Sequence, residues 1–412
     1  MPGYEEQFKE RDARVKKAIR LEQADRVPFV PYMGSFYALR YDGVTMYEAM
    51  KDLTSMIPPM ERFLEQYDPD LLYAPSFYPI DVMEQAGAKN LRWPGPYWDM
   101  PLDAPYQYLD ECFLQDDEWD EYLKDPTRFL LRKVLPKKYG AFEGLENLSI
   151  YALVAQAPVS LSAAAAPGVK EALENLLKIG ETAANAAREK AKISLRAIEL
   201  GYPVYATAVA TSPFDEFADC IRGLMPTLMD LCENPLRLNE AVERWAEISI
   251  PAKVGQAEAM HAQYALVPLH CGLDEFMSPE NYDKYYWPQL KRMLLALIAK
   301  DITPFVLCEG HYDTRLDTIS DITPGKVIYL FEKVDMALAK QKLGKTACIA
   351  GNLDTSLLIS GTVDEVVKAT KKLIDTCAPG GGYLMSNSLA IDNARHDLIE
   401  AWRETTLAYG VY

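Results

Sequence analysis

The chain has 412 residues, of which 49% are apolar and 25% charged, with a formal net charge of −17 at neutral pH. The apolar share is ample for a core, and no apolar run approaches the roughly 20 residues of a membrane span. The negative charge repels phosphate backbones and anionic lipid, so neither nucleic acid nor a membrane is expected as a partner. The charged stretch 1–20 lacks the apolar centre of a secretion signal, and seven scattered cysteines suit free thiols and a few ligands better than a disulfide framework. Both features predict a cytoplasmic protein.

Taken in chain order, nine short runs of β-branched, aromatic or other apolar residues read as strands: 27–32, 70–74, 148–154, 202–207, 264–269, 303–307, 327–331, 347–350 and 383–385. Helical periodicities separate most of them. One covers 170–200, with a candidate break at Gly180 and a stop at Gly201. Another covers 225–256 and is interrupted near Pro235. A third, 282–300, follows Ser278-Pro279-Glu280, a cap, a first-turn proline and an acid. This alternation predicts an α/β fold, a (β/α)8 barrel, for which nine strands are one too many. One of the nine is therefore expected to be spurious or peripheral. The region 1–25 reads as an N-terminal helical extension, and 93–138, rich in Pro, Asp and Tyr, as a long decorated loop. No internal repeat or low-complexity linker divides the chain, which predicts one domain over 1–412.

Carboxyl ends of barrel strands converge on one mouth, where active sites sit. Of the four histidines, His261 and His396 fall in helical stretches and read as exposed. His270, beside Cys271, and His311, near Cys308 and Glu309, each follow a strand. Imidazole, thiolate and carboxylate are the usual zinc ligands, yet Cys308 and Cys348 read equally well as buried apolar thiols. If Leu307 faces the lumen, so does Glu309 while Cys308 faces the helices; the other phase reverses this. A buried carboxylate at Glu309 is costly without a cation or metal. Asp215 and Asp219 either point into the mouth or, for Asp215, support the next helix start. Tyr32, Phe36, Tyr37 and Tyr41 read as a pocket for a flat substrate or as ordinary loop aromatics. There is no Walker loop, no GxGxxG after a strand and no GxSxG elbow, and Gly380-Gly381-Gly382 reads as a tight helix-to-strand connection.

Seven stretches carry a family resemblance. They are Arg26-Val27-Pro28, Tyr67-Asp68-Pro69-Asp70, Ile221-Arg222-Gly223, Phe276-Met277-Ser278-Pro279-Glu280, Ala350-Gly351-Asn352-Leu353, Gly361-Thr362-Val363-Asp364-Glu365-Val366 and Gly381-Gly382-Tyr383-Leu384. With them the chain resembles the uroporphyrinogen decarboxylase superfamily from Val27 onward, which implies a (β/α)8 barrel. The decarboxylase's arginine-bearing Met-Arg-Gln-Ala-Gly-Arg motif is replaced by Tyr32-Met33-Gly34-Ser35-Phe36-Tyr37, and no histidine stands between Ser386 and Leu389. The chain is more similar to the corrinoid-linked methyltransferases, aryl-methyl-ether O-demethylases in particular. The His-x-Cys-Gly zinc pattern of the coenzyme M branch would fall on Leu307, Glu309 and Gly310, and its distant cysteine near Asn387, so that thiol-activating set is not intact. An acid-Cys-Cys arrangement resembles Glu280, Cys308 and Cys348 in spacing.

The resemblance implies zinc-dependent methyl transfer from a small methoxylated aromatic to the cob(I)alamin of a separate corrinoid protein, since this chain lacks the Asp-x-His-x-x-Gly cobalamin signature. Zinc would act as a Lewis acid on the ether oxygen. It implies Glu309 and Cys308, with His270 or Cys348, as metal ligands. Asp219, His311 or Tyr32 would supply a proton or orient the ring, and Phe36, Tyr37 and Asn387 would line the substrate site. A decarboxylase-like enzyme, a methylcobamide-dependent methyltransferase with another acceptor and a non-catalytic corrinoid binder are the alternatives. A homodimer is left open.

Overall fold

Eight parallel strand positions close on themselves in chain order. The computed structural model describes residues 3–75 and 77–412. The first position is an extended segment around Phe29. It bridges in parallel to Met385, with Val30 N–H donating to the Met385 carbonyl at 2.9 Å, and Asp70 N–H donates to the Phe29 carbonyl at 2.8 Å. Leu72–Tyr73 pairs with Val204–Tyr205. After Ala206, whose φ is 62°, the same strand resumes as Ala208–Val209 and pairs with Tyr264–Leu269. Thr303–His311, Ile328–Lys333, Cys348–Ala350 and Tyr383–Leu384 complete the ring. These are eight of the nine expected strands, and the (β/α)8 barrel stands.

The ninth, 148–154, is corrected: Ile150–Val154 is a short helix, capped by the Ser149 side chain, which accepts from Ala152 N–H at 3.3 Å. Its apolar run suits a strand, but the closed barrel offers it no free edge. The 170–200 expectation becomes Val169–Glu199, unbroken at Gly180, where no neighbouring atom lies within 4 Å of an added Cβ. Leu224–Glu233 and Pro235–Ala259 do part at Asn234. Ser278 caps the next helix, accepting from Asn281 N–H at 3.2 Å.

Side-chain alternation sorts the strands into two layers. Phe305, Leu307, Leu330, Ala350 and Tyr205 fill the lumen, where Val15, Ala18 and Ile19 of the Tyr4–Ile19 helix also pack. Val306, Cys308, Phe331 and Ile349 face the surrounding helices. The helix-to-strand connection at Gly380–Gly382 needs glycine: Gly381 has φ +81°, and an added Cβ would lie 2.5 Å from the Glu22 backbone.

Candidate active site at the barrel mouth

Just beyond the apolar lumen, polar side chains rise from successive strand ends. Leu269 pairs with Cys308, and both face outward, so the next residues, His270 and Glu309, turn to the lumen side. His270 is held twice: its backbone N–H donates to Asp215 Oδ1 at 3.2 Å, and its Nε2–H donates to Asp219 Oδ2 at 2.6 Å. Burial works against its protonation. The Asp219 hydrogen bond and the charges of Asp215, Asp219 and Glu309 outweigh it and raise the imidazole pKa to about 10, so His270 is a cation at neutral pH.

Asp215 is fully buried and serves as a bracket. It accepts from the His270 and Cys271 backbones, the latter at 2.7 Å, and from the Tyr286 hydroxyl. It thus reaches beyond its own helix start to pin the next strand end. Asp219 sits in the Ala218–Arg222 turn of π-helix that continues the Pro213–Phe217 helix carrying Asp215.

Glu309 stands beside His270, one strand over. Burial raises its pKa above the ordinary carboxylate range; His270 opposes this, and the nearby charges of Asp215, Glu332 and Asp219 reinforce it. Glu332 is committed elsewhere, its Oε2 accepting from Gly310 N–H at 2.6 Å. Opposite lies an aromatic wall. Tyr32 meets Tyr73 edge-on at 5.2 Å, Tyr73 meets Tyr205 at 5.5 Å, and Tyr205 stacks on Phe305 at 4.2 Å. Burial, then the charges of Tyr73, Glu309, Tyr106 and Asp392, push the Tyr32 phenol well above its usual range, and burial and Tyr78 lift Tyr73 to about 12. The buried Tyr205 hydroxyl has no hydrogen-bond partner.

The zinc set implied by the resemblance does not assemble. Cys308 points outward, where its charge is felt by Tyr282, Tyr312 and Tyr329 rather than by the mouth. Cys348 aligns through Ile328 with Phe305, four residues and about 13 Å along the strand from Glu309. Burial raises both thiols, away from the thiolate form that binds metal. Nε2 of His270 is already engaged by Asp219. Glu280 is an exposed first-turn helix residue. Among the described residues no group of three or more His, Cys, Asp or Glu is arranged to hold a metal ion. Of the implied set Glu309, Cys308, His270 and Cys348, the structure brings Glu309 and His270 together, while strand alternation turns Cys308 away and strand height separates Cys348.

Other expected residues divide. Gly310, at φ +76°, starts a register shift, and an added Cβ would meet Leu273 Cδ1 at 2.7 Å. The shift carries His311 into an exposed pair with Glu275. Tyr37 turns into the helical layer, where its hydroxyl shares hydrogen bonds with the Tyr67 hydroxyl and His396 Nδ1, both at 2.9 Å. Phe36 lies under the Arg40 guanidinium. Asn387 clamps the Tyr32 backbone: its Oδ1 accepts from Tyr32 N–H at 2.8 Å and its Nδ2 donates to the Tyr32 carbonyl at 3.0 Å. His396 begins a helix as expected, but its ring is tied to two tyrosines. Tyr73, Tyr205, Tyr106 and Glu332 were not singled out from sequence as site residues. Strand alternation could have found Tyr73 and Tyr205; nothing local marks Tyr106.

These features define a parallel (β/α)8 barrel with a proton-bearing, tyrosine-walled mouth. Residues 165–392 match the family described as uroporphyrinogen decarboxylase (URO-D), and the chain belongs to that family. It is 27% identical over 151 residues to the methylcobamide:CoM methyltransferase MtbA of Methanosarcina acetivorans, a stretch covering 33% of this chain and 44% of that protein. The match thus spans less than half of that relative's length. A methyltransferase from Methanosarcina mazei superposes with a TM-score of 0.64 at 13% identity, over 97% of this chain and 98% of that one, which shows a shared fold. Among the described residues no helix is long and apolar enough to cross a membrane.

Proposed function

We propose that the protein is a methyltransferase that takes the methyl group of a small methoxylated aromatic and passes it to a corrinoid protein, assisting the leaving oxygen with a proton instead of zinc. Family membership and the partial likeness to a methylcobamide methyltransferase support the reaction class. The observation that carries the rest is the pairing of cationic His270 with a high-pKa Glu309 opposite the Tyr32–Tyr73 wall.

Phenoxide leaves poorly from an ether. In this reading the Tyr32–Tyr73 wall holds the ring edge-on. Glu309 gives its proton to the ether oxygen as the methyl C–O bond breaks, so a neutral phenol departs. His270, fixed by Asp219, places positive charge beside the oxygen as negative charge develops. General acid assistance of this kind contributes about 10²–10⁴ in rate. A reduced corrinoid carried by the partner protein supplies the nucleophile for the methyl carbon. The His270 and Asp219 side chains are 31% and 40% exposed, which leaves the mouth open to such a partner.

The test follows phenol release and corrinoid methylation together, with a panel of methoxyarenes and a reduced corrinoid protein. Equal yields of both support the reading. Carbon dioxide from a porphyrinogen, with no corrinoid methylation, would move the assignment to decarboxylation. Methylation from methyl-thiols or methylamines alone would keep the class and refute the aryl ether. Metal analysis decides the second clause: stoichiometric zinc that is lost on Glu309→Gln would restore the Lewis-acid route.

A further inference from the structure

The aromatic wall of the mouth does not end at Tyr73. A short antiparallel hairpin, Leu91–Arg92 with Gln107–Tyr108, lies in the loop region before the third strand position. Extended backbone sends every second side chain to the same face, so Tyr106 and Tyr108 point together. Both turn to Tyr78, which lies just past the strand end that carries Tyr73. Tyr106 meets the Tyr78 ring edge-on at 5.0 Å, Tyr108 meets it edge-on at 5.9 Å, and the two meet each other at 6.2 Å. The loop is fastened to the element that carries Asp219. Phe113 and Leu114 N–H both donate to the Ile221 carbonyl, at 3.0 and 2.9 Å, and Asp110 Oδ1 accepts from Leu224 N–H at 2.6 Å.

These three rings form a second tier continuous with the first. Half-buried Tyr106 links the two: Tyr32 feels its charge, and it feels that of Tyr73. At the far end Tyr108 comes near Cys220, the neighbour of Asp219. The tier therefore runs from the Tyr32 wall round to the acidic side of the mouth. The Tyr78 and Tyr108 hydroxyls hydrogen-bond each other, so their polar tips are satisfied. Their rings are not covered, Tyr78 being 39% exposed and Tyr108 59%.

We infer that Tyr106 and Tyr108 are specificity-determining residues that take a second planar group of the methyl donor, which makes the preferred donor a two-ring methoxyarene. The inference rests on the methyl-transfer reading. Aromatic pairs hold their centroids about 4.5–7 Å apart, so a single ring lodged against Tyr32 and Tyr73 meets one tier and a second ring in line with it reaches the other. Tyrosine suits this task, because it offers a large flat face at a small cost in side-chain entropy. An arm ending in a carboxylate fits less well, since Asp219 and Glu309 already crowd the mouth with negative charge.

Calorimetric titration of the full chain, without corrinoid protein, tests this with 4-methoxyphenol and 4-hydroxy-4′-methoxybiphenyl. The wild type should bind the two-ring probe more tightly. Tyr106→Ala and Tyr108→Ala should each weaken the two-ring probe about tenfold and the single ring less than about twofold. Because Tyr108 is exposed, its replacement should leave the thermal melt unchanged. Tyr106→Leu keeps apolar bulk at the half-buried position and should still lose the preference. Equal losses for the two probes overturn the inference, as does tighter two-ring binding by the variants, which would make Tyr106 a barrier. Variants that bind both probes like the wild type but lose affinity for the corrinoid protein would assign the tier to that partner instead. If neither probe binds the wild type, the aryl-ether reading itself fails and takes the inference with it.

Discussion

The two ends of the barrel treat charge in opposite ways. At the amino end Asp70 is 1% exposed and fully matched: Arg14 Nη1 reaches its Oδ1 at 2.6 Å, Arg26 Nη1 its Oδ2 at 2.6 Å, and Phe29 N–H its Oδ2 at 2.7 Å. At the mouth Glu309 has His270 as an opposing charge, while Asp215, Asp219 and Glu332 crowd it with like charge. One carboxylate joins the starts of two strands and the sealing helix. The other is left with its charged form disfavoured by burial and by like charges. A satisfied buried charge is architecture; an under-satisfied one at a strand end is a candidate for chemistry.

The sharpest way to break this comparison is Asp70→Ala. It strands two arginines at the closed end and should cost about 3–5 kcal/mol in denaturant unfolding. A loss below about 1 kcal/mol would remove the contrast. Glu309→Gln should behave in reverse, lowering methyl transfer about 100-fold. Its melting temperature should hold or rise slightly, because a carboxylate whose folded pKa is raised destabilises the fold once it ionises. A large loss of stability instead would make Glu309 a structural residue.

Gly310→Ala forces a left-handed residue against Leu273 and should cost about 1–2 kcal/mol. Activity per folded molecule should fall too, since moving this backbone shifts both Glu309 and the N–H from which Glu332 accepts. A further effect is one of pH. Because the folded pKa of His270 is raised from 6.5 to about 10, its contribution to stability is complete below pH 6.5 and fades as pH rises through about 10. His270→Ala should abolish this alkaline fade in a melting-temperature series. An unchanged profile would mean that the His270–Asp219 pair does not set it.

Much of this was legible locally. Eight strands in order, the Ser278 cap and the glycine connection before Tyr383 follow from near-neighbour patterns. The Gly361–Val366 stretch has a local cause as well: Thr362 and Glu365 form a reciprocal capping box at a helix start. Two further family stretches meet only in space, where Arg26 pairs with Asp70. The 148–154 run misled because its composition suits a strand and only the closed ring denies it an edge.

The sequence by itself determined the barrel, the ends of its strands and the presence of His270 and Glu309 just past two of them, because period and punctuation are properties of neighbouring residues. Tertiary structure alone decided the phase that puts Leu307 inward and Cys308 outward, the height that separates Cys348 from the mouth, and the bulge at Gly310 that sends His311 to Glu275. It also brought Tyr106 from a distant loop to Tyr32. Facing direction and proximity between loops depend on which strands pair and how far each one climbs, and no stretch of a few residues holds that information.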